Sequence, residues 1–331
     1  MLQAILLAFQ MFPGIPACLP MVTAIYSHAD CRLHDMGAQH PECPQRLDAI
    51  NDHLLATGLQ GALDLREAPI VALDDLALAH ESRYVGELRE LLESISASGE
   101  SRYIDPDTVA CPATWRAALR AAGAAVAATD AVIDGEIENA FCAVRPPGHH
   151  ATRNQAMGFC FFNNVAVAAR HALDRRGLQR VAIVDFDVHH GNGTEDIIAG
   201  DARVLMVSIF QHPLYPNCGA VPKGTNMCNL PIPPYTRGPE VRDLIEAMWM
   251  PRLEEFRPQM IFISAGFDAH REDDLGQLGL VEADYDWITR RIKAVADRHA
   301  SGRIVSCLEG GYALSALARS VAAHVRVLAD L

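Results

Sequence analysis

Two aspartates and a histidine alternate with apolar residues in 185-DFDVHHGNGT-194. On an extended chain residues two apart share a face, so Asp185, Asp187 and His189 project together while Phe186 and Val188 point away. Carboxylates that close resist joint ionisation unless a cation lies between them. An acidic loop with a solvated His-His pair would carry the same letters, so a partner from elsewhere must decide. Asp268 offers itself in 264-SAGFDAHREDDLG-276, directly after the apolar run 260-MIFIS-264. Alone it reads as a helix N-cap. Joined to Asp187 and His189 it completes an oxygen, nitrogen, oxygen set whose two carboxylates balance a divalent ion. Three protein ligands and an open position describe a catalytic Zn2+ site better than a closed structural one. Carboxylate-rich ligation also suits Fe2+ or Mn2+.

Two further stretches supply groups for hydrolysis. In 145-RPPGHHA-151 the tandem histidines His149 and His150 are ligands, acid–base groups or a rim. With three ligands already found, proton transfer to and from an attacking water and a leaving amine gains weight. Asp185 is placed to orient one of the imidazoles. In 308-LEGGY-312 two glycines precede Tyr312, whose hydroxyl is either an ordinary core group or a donor to the oxyanion of a tetrahedral intermediate. Together the four stretches imply metal-assisted hydrolysis of an amide.

The elements that must hold these groups can be read from hydrophobic spacing. Apolar runs predict strands at 22–27, 139–144, 181–186, 203–209, 259–264 and 303–308. Helical spacing covers 44–57, 84–95, 112–131, 162–176, 238–257, 282–299 and 314–330. Strands such as 181-VAIVDF-186 are apolar on both faces, as in a parallel sheet covered by helices on each side. The alternation predicts a doubly wound, three-layer α/β/α sandwich. The loops richest in Pro, Gly and His all follow predicted strands, where such folds bind ligands. No Gly-, Ser- or Pro-rich linker and no repeat divides the chain, so residues 21–331 read as a single domain. Residues 1–20 are an apolar extension without a basic leader, broken by Pro13 and Pro16, and a poor membrane span. An over-early start or an oligomer contact would each account for it.

The bulk composition narrows the partners. With 28 basic and 41 acidic side chains the 331-residue chain carries −13, which argues against phosphate-driven nucleic-acid binding. Nine scattered cysteines without a CxxC pair read as buried free thiols in a reducing, cytoplasmic setting.

With 158-GFCFFNN-164, 40-HPECPQRL-47 and 103-YIDPDT-108, the motifs resemble the histone deacetylase superfamily, in particular bacterial relatives of its class II enzymes, over nearly the whole chain from Val22. The resemblance implies an arginase/deacetylase fold with a mostly parallel eight-stranded sheet. It implies Zn2+ on Asp187, His189 and Asp268, His149 and His150 as the acid–base pair, Asp185 orienting His149, Asn192 contacting His150, and Tyr312 polarising the acyl carbonyl. It also implies a structural K+ around Asp185, Asp187, His189 and Ser208. The family's tunnel would be walled by Phe159 and Tyr215, with Gly158, Gly310 and Leu275 beside them. Phe210, 217-NCG-219 and Asp274 depart from the family pattern and are expected near the tunnel rim. Leu275 stands where acetylpolyamine-specific relatives carry a glutamate, which favours N-ε-acyl-lysine over a small acylated amine as substrate. A non-catalytic acyl-lysine-binding module is the remote alternative, and a homo-oligomer is compatible with all of these.

Overall fold

The computed structural model describes residues 22–331, so the expectation for residues 1–20 lies outside the described residues. Eight strands form one sheet: β1 (Thr23–Ser27), β2 (Asp64–Glu67), β3 (Asn139–Cys142), β4 (Val181–Asp185), β5 (Val204–Gln211), β6 (Met227–Ile232), β7 (Ile261–Ala265) and β8 (Ile304–Leu308). Their order is β2-β1-β3-β8-β7-β4-β5-β6, and every neighbouring pair is parallel. Strands β3, β4, β5, β7 and β8 are buried along their whole length, which is why they are continuous apolar runs.

The two strands that periodicity does not predict lie at the edges. β2, 64-DLRE-67, alternates half-buried with exposed residues and has no apolar run to reveal it. β6, 227-MCNLPI-232, contains Pro231, whose missing N–H is tolerated because no strand lies beyond it.

Helices cover the sheet in two layers. α1 (Gln45–Ala56), α7 (Glu282–His299) and α8 (Leu314–Leu328) pack side by side; α2 (Ser82–Ser98), α3 (Thr114–Ile133) and α4 (Asn164–Asp174) form the other group, with the short α5 (Asn192–Ile198) against α4. The alanine-rich face of α3 lets chains approach closely: a Cβ at Gly123 would overlap the Pro69 carbonyl. α6, the helix expected over 238–257, begins as Gly238–Leu244, widens into a π-helical segment at Ile245–Trp249 and resumes at Met250–Phe256. Pro251 lacks the N–H that the preceding turn would need. Among the described residues no helix is long and apolar enough to cross a membrane.

Candidate active site

β3, β8, β7 and β4 are neighbours at the centre of the sheet, and each is followed by one of the four stretches singled out by their chemistry. Parallel strands deliver their C-terminal loops to one edge, so groups far apart in sequence meet there.

β4 stops at Asp185, so Asp187 and His189 stand in the bend beyond the strand, not on it. Side-chain oxygens hold that bend: Asp185 Oδ1 accepts the Asp187 N–H at 3.1 Å, and Asp187 Oδ1 accepts the His189 N–H at 2.8 Å. Asp268 caps no helix. Its Oδ1 accepts the Val188 N–H at 2.9 Å, joining the two loops. One ligand-type atom from each of Asp187, His189 and Asp268 lies within 4.8 Å of the others. His189 Nδ1 is 3.0 Å from Asp187 Oδ1 and 3.2 Å from Asp268 Oδ2.

The electrostatics of this trio suit a divalent ion. Asp268 Oδ2 is buried and accepts no well-directed hydrogen bond. Burial, and then the Asp187 charge, push the Asp268 carboxyl up to about 6. Burial would raise Asp187 as well, but the imidazoles of His149 and His189 hold it below the usual carboxylate range. Burial opposes a charged His189, yet the two carboxylates hold its imidazole up to about 10. The site therefore draws a positive charge to the point where the three donors meet, and its two oxygens and one nitrogen match zinc or iron ligation.

Two glycines leave the room. A Cβ at Gly266 would overlap the Asp187 carboxylate; one at Gly310 would overlap Asp268 and stand 2.6 Å from Asp187 Oδ2. The Gly310 N–H also donates to Asp187 Oδ2 at 2.8 Å, which puts Gly310 against the carboxylates themselves. Gly310→Ala is expected to weaken binding of a divalent ion at this trio by about 100-fold, read with Zn2+ as the probe by competition against a chromogenic chelator.

The adjacent imidazoles are pushed in opposite directions. His149 Nδ1 lies 3.0 Å from Asp185 Oδ2, whereas His150 Nδ1 lies 2.7 Å from Asn192 Oδ1. Burial disfavours a charged His149, but Asp187 and Asp185 outweigh it and hold that imidazole well above its ordinary value. Burial, then the charges on His149 and His189, push His150 well below. A carboxylate stabilises an imidazolium; an amide oxygen fixes the Nδ1–H tautomer with far less pull on the charge. Near neutral pH the pair thus offers one charged ring and one neutral ring.

Tyr312 follows the Gly310 N–H that meets Asp187, and is held by groups whose part the sequence does not reveal. Its N–H donates to Asp273 Oδ2 at 2.6 Å, and the Ala313 N–H donates to the same oxygen at 2.9 Å. The Arg46 guanidinium stands 5.0 Å from the Tyr312 ring centroid and donates from Nε to the Gly311 carbonyl at 2.6 Å. Arg46 is itself buried with Glu42 and Arg145; burial would raise the Glu42 carboxyl, but the two guanidiniums hold it down at about 2. Burial, and then Asp268, raise the Tyr312 phenol well above its ordinary value, so it keeps its proton and remains a donor. No short-range sequence signal marks this tether, because the Tyr312 and Ala313 nitrogens lie 39 and 40 residues from Asp273.

The expected tunnel residues divide. Phe159 stands edge-on to Tyr312, 6.0 Å between ring centroids, and Tyr215 edge-on to His150 at 5.1 Å. Phe159 adopts φ 70°, unusual for an aromatic residue, with its N–H bonded to Thr108 Oγ1 at 3.0 Å. Gly158, at φ 56°, is where a Cβ would meet both the His150 ring and the Tyr215 hydroxyl. Leu275 is half-buried and donates its N–H to Asp273 Oδ1 at 3.1 Å. Asp274 and Cys218 are exposed. Phe210 differs from expectation: it is buried and packs on the His190 ring at 4.6 Å, a core residue and not a rim residue.

A family model described as the histone deacetylase domain matches residues 40–328. The chain is 38% identical over 302 residues to a probable deacetylase of Archaeoglobus fulgidus, covering 89% of this chain and 82% of that protein. It is 38% identical to a histone deacetylase-like amidohydrolase of Pseudomonas aeruginosa, over 83% of this chain and 72% of that one. It is 36% identical to the polyamine deacetylase HDAC10 of Mus musculus, covering 93% of this chain and 48% of that protein. The crystal structure of an HDA15 HD domain matches with a TM-score of 0.87 at 33% identity, covering 94% of this chain and 90% of the other.

Proposed function

The chain belongs to the histone deacetylase family, a family of amidohydrolases, and from that premise we propose that it is a Zn2+-dependent deacylase of N-ε-acyl-lysine side chains. The observation that carries this is the convergence of Asp187, His189 and Asp268 beside a His149–His150 pair whose members are driven to opposite charge states. Zn2+ held by those three side chains, or Fe2+ in its place, would supply the Lewis acidity that polarises the scissile carbonyl and activates water.

The chain's own groups do the remaining work. His150, neutral and with its Nδ1–H committed to Asn192, presents Nε2 to the attacking water as general base. The Tyr312 hydroxyl donates to the oxyanion that develops on the carbonyl. His149, kept charged by Asp185, stabilises negative charge next to His150, which passes its proton to the departing amine. We assign a structural K+ to the oxygens around Asp185, Asp187, His189 and Ser208; Ser208 is the register partner of Asp185 on β5.

Acyl-lysine is favoured as substrate because the loop after β7 offers little free negative charge. Glu272 is engaged by Arg319, and Asp273 by the Tyr312 and Ala313 N–H groups. Among the described residues Asp274 alone of that acidic run has no hydrogen-bond partner. That exposed acid is the feature that favours the second reading, an acetylated polyamine. Turnover of acyl-lysine peptides of several chain lengths against acetylputrescine separates the two, with metal content measured on the same sample. Acetate release that survives full chelation would end the proposal.

The pH profile follows from the two imidazoles. The acid limb of kcat/KM falls where His150 gains a proton, below the ordinary imidazole value; the alkaline limb falls where His149, held up by Asp185 once a bound dication neutralises Asp187, loses one. A broad plateau through neutrality is expected. Asn192→Asp gives His150 a carboxylate partner and should move the acid limb up by about 1 pH unit; an unmoved limb would remove His150 from the base role.

A further inference from the structure

Glu309 lies in the same segment as Tyr312, yet no step of the proposed hydrolysis uses it. Its side chain is fully buried. Oε2 accepts the Gly148 N–H at 2.6 Å and the His149 N–H at 3.1 Å, and Oε1 accepts the Ser264 hydroxyl at 3.1 Å. The two backbone partners can only donate, so Oε2 serves as an acceptor; the Ser264 hydroxyl can donate or accept, and burial pushes the Glu309 carboxyl up to about 7.

The local chain explains why such a group is needed. β3 ends at Cys142, and Pro146 and Pro147 have no N–H to give. The first donors after the proline pair are Gly148 and His149, both buried, so an unpaired N–H at either would destabilise the turn. The turn has no slack on its other side, since a Cβ at Gly148 would stand 2.5 Å from the Asn164 nitrogen and 2.9 Å from the Phe162 oxygen. Glu309 is anchored in turn: its carbonyl accepts from Arg46, and the next N–H, of Gly310, donates to Asp187.

We propose that Glu309 is a positioning residue for the acid–base pair: its carboxylate clamps the Gly148–His149 turn to the end of β8, and so fixes both imidazoles relative to Tyr312 and the carboxylate trio. One side chain thereby couples the loop that moves protons to the loop that receives the oxyanion. Its effect on turnover rests on the deacylase reading, whereas the clamp does not.

The test compares Glu309→Ala and Glu309→Gln with the parent protein. Glutamine keeps the two acceptor contacts through Oε1 and can donate to the Ser264 oxygen, so it preserves the clamp without the charge. Glu309→Ala is expected to lower kcat by about 100-fold, the size of effect that a 1 Å misplacement produces, with KM within about threefold. Glu309→Gln should recover kcat to within about tenfold of the parent. Amide hydrogen exchange on the metal-free proteins gives a second readout: in Glu309→Ala it should quicken at residues 148–150 and stay unchanged on β4, β7 and α8. Parental kcat in Glu309→Ala, or exchange that quickens throughout the molecule, would overturn the inference. Local quickening in a protein whose parent hydrolyses no acylated amine would uphold the clamp and discard the deacylase reading.

Discussion

Asp268→Asn is expected to lower kcat/KM by about three decades in the presence of Zn2+, because the Lewis-acid contribution it removes is several kcal/mol. The same substitution should stabilise the metal-free protein. Asp268 is buried and its carboxyl is raised to about 6 by burial and by Asp187. A carboxylate whose folded pKa lies above its unfolded value destabilises the fold once the pH exceeds the folded pKa, and does so less as the pH falls towards the unfolded value. At pH 7 that penalty is on the order of 2–3 kcal/mol. Asparagine keeps an oxygen for the Val188 N–H, now 2.9 Å from Asp268 Oδ1, and removes the charge. Thermal melts of both metal-free proteins should therefore differ by several degrees at pH 7, with the variant higher, and converge near pH 4. A variant that melts lower than its parent at pH 7 would show that the trio is not strained by like charge.

Tyr312→Phe is expected to reduce kcat by about 100- to 1,000-fold, the usual consequence of removing one oxyanion donor. KM should change little, because the hydroxyl acts on charge that exists only as the carbonyl is attacked. The packing should survive the change: the ring remains between Arg46 and Phe159, and the tethers to Asp273 come from the backbone. Unchanged folding with intact Zn2+ binding and lost turnover would separate this role from a structural one. A kcat within threefold of the parent would reassign the oxyanion donor.

The parts of the molecule that could be read from sequence share a physical trait. β4 and β7 are buried on both faces, so they appear as apolar runs, and the acids that follow them stand out as charge where none is expected. Asp187, His189 and Asp268 were visible for that reason. β2 and β6 were not, because edge strands need no continuous apolar sequence. Glu309, Asp273 and Arg46 escaped for a different reason: each acts through backbone groups brought near only by the fold, as when Arg46 reaches the carbonyl of Gly311. Phe210 shows the converse error. A departure from a family pattern two residues from a polar loop suggests a rim position, but β5 runs on to Gln211 and keeps it inside.

The five residues from Glu309 to Ala313 carry one further implication. Glu309 reaches the 148–149 turn, Gly310 reaches Asp187, the Gly311 carbonyl reaches Arg46, and the Tyr312 and Ala313 nitrogens reach Asp273. Lengthening or shortening the segment by a single residue would displace these attachments by about 3.5 Å each. The segment can therefore exchange one amino acid for another more readily than it can change its length.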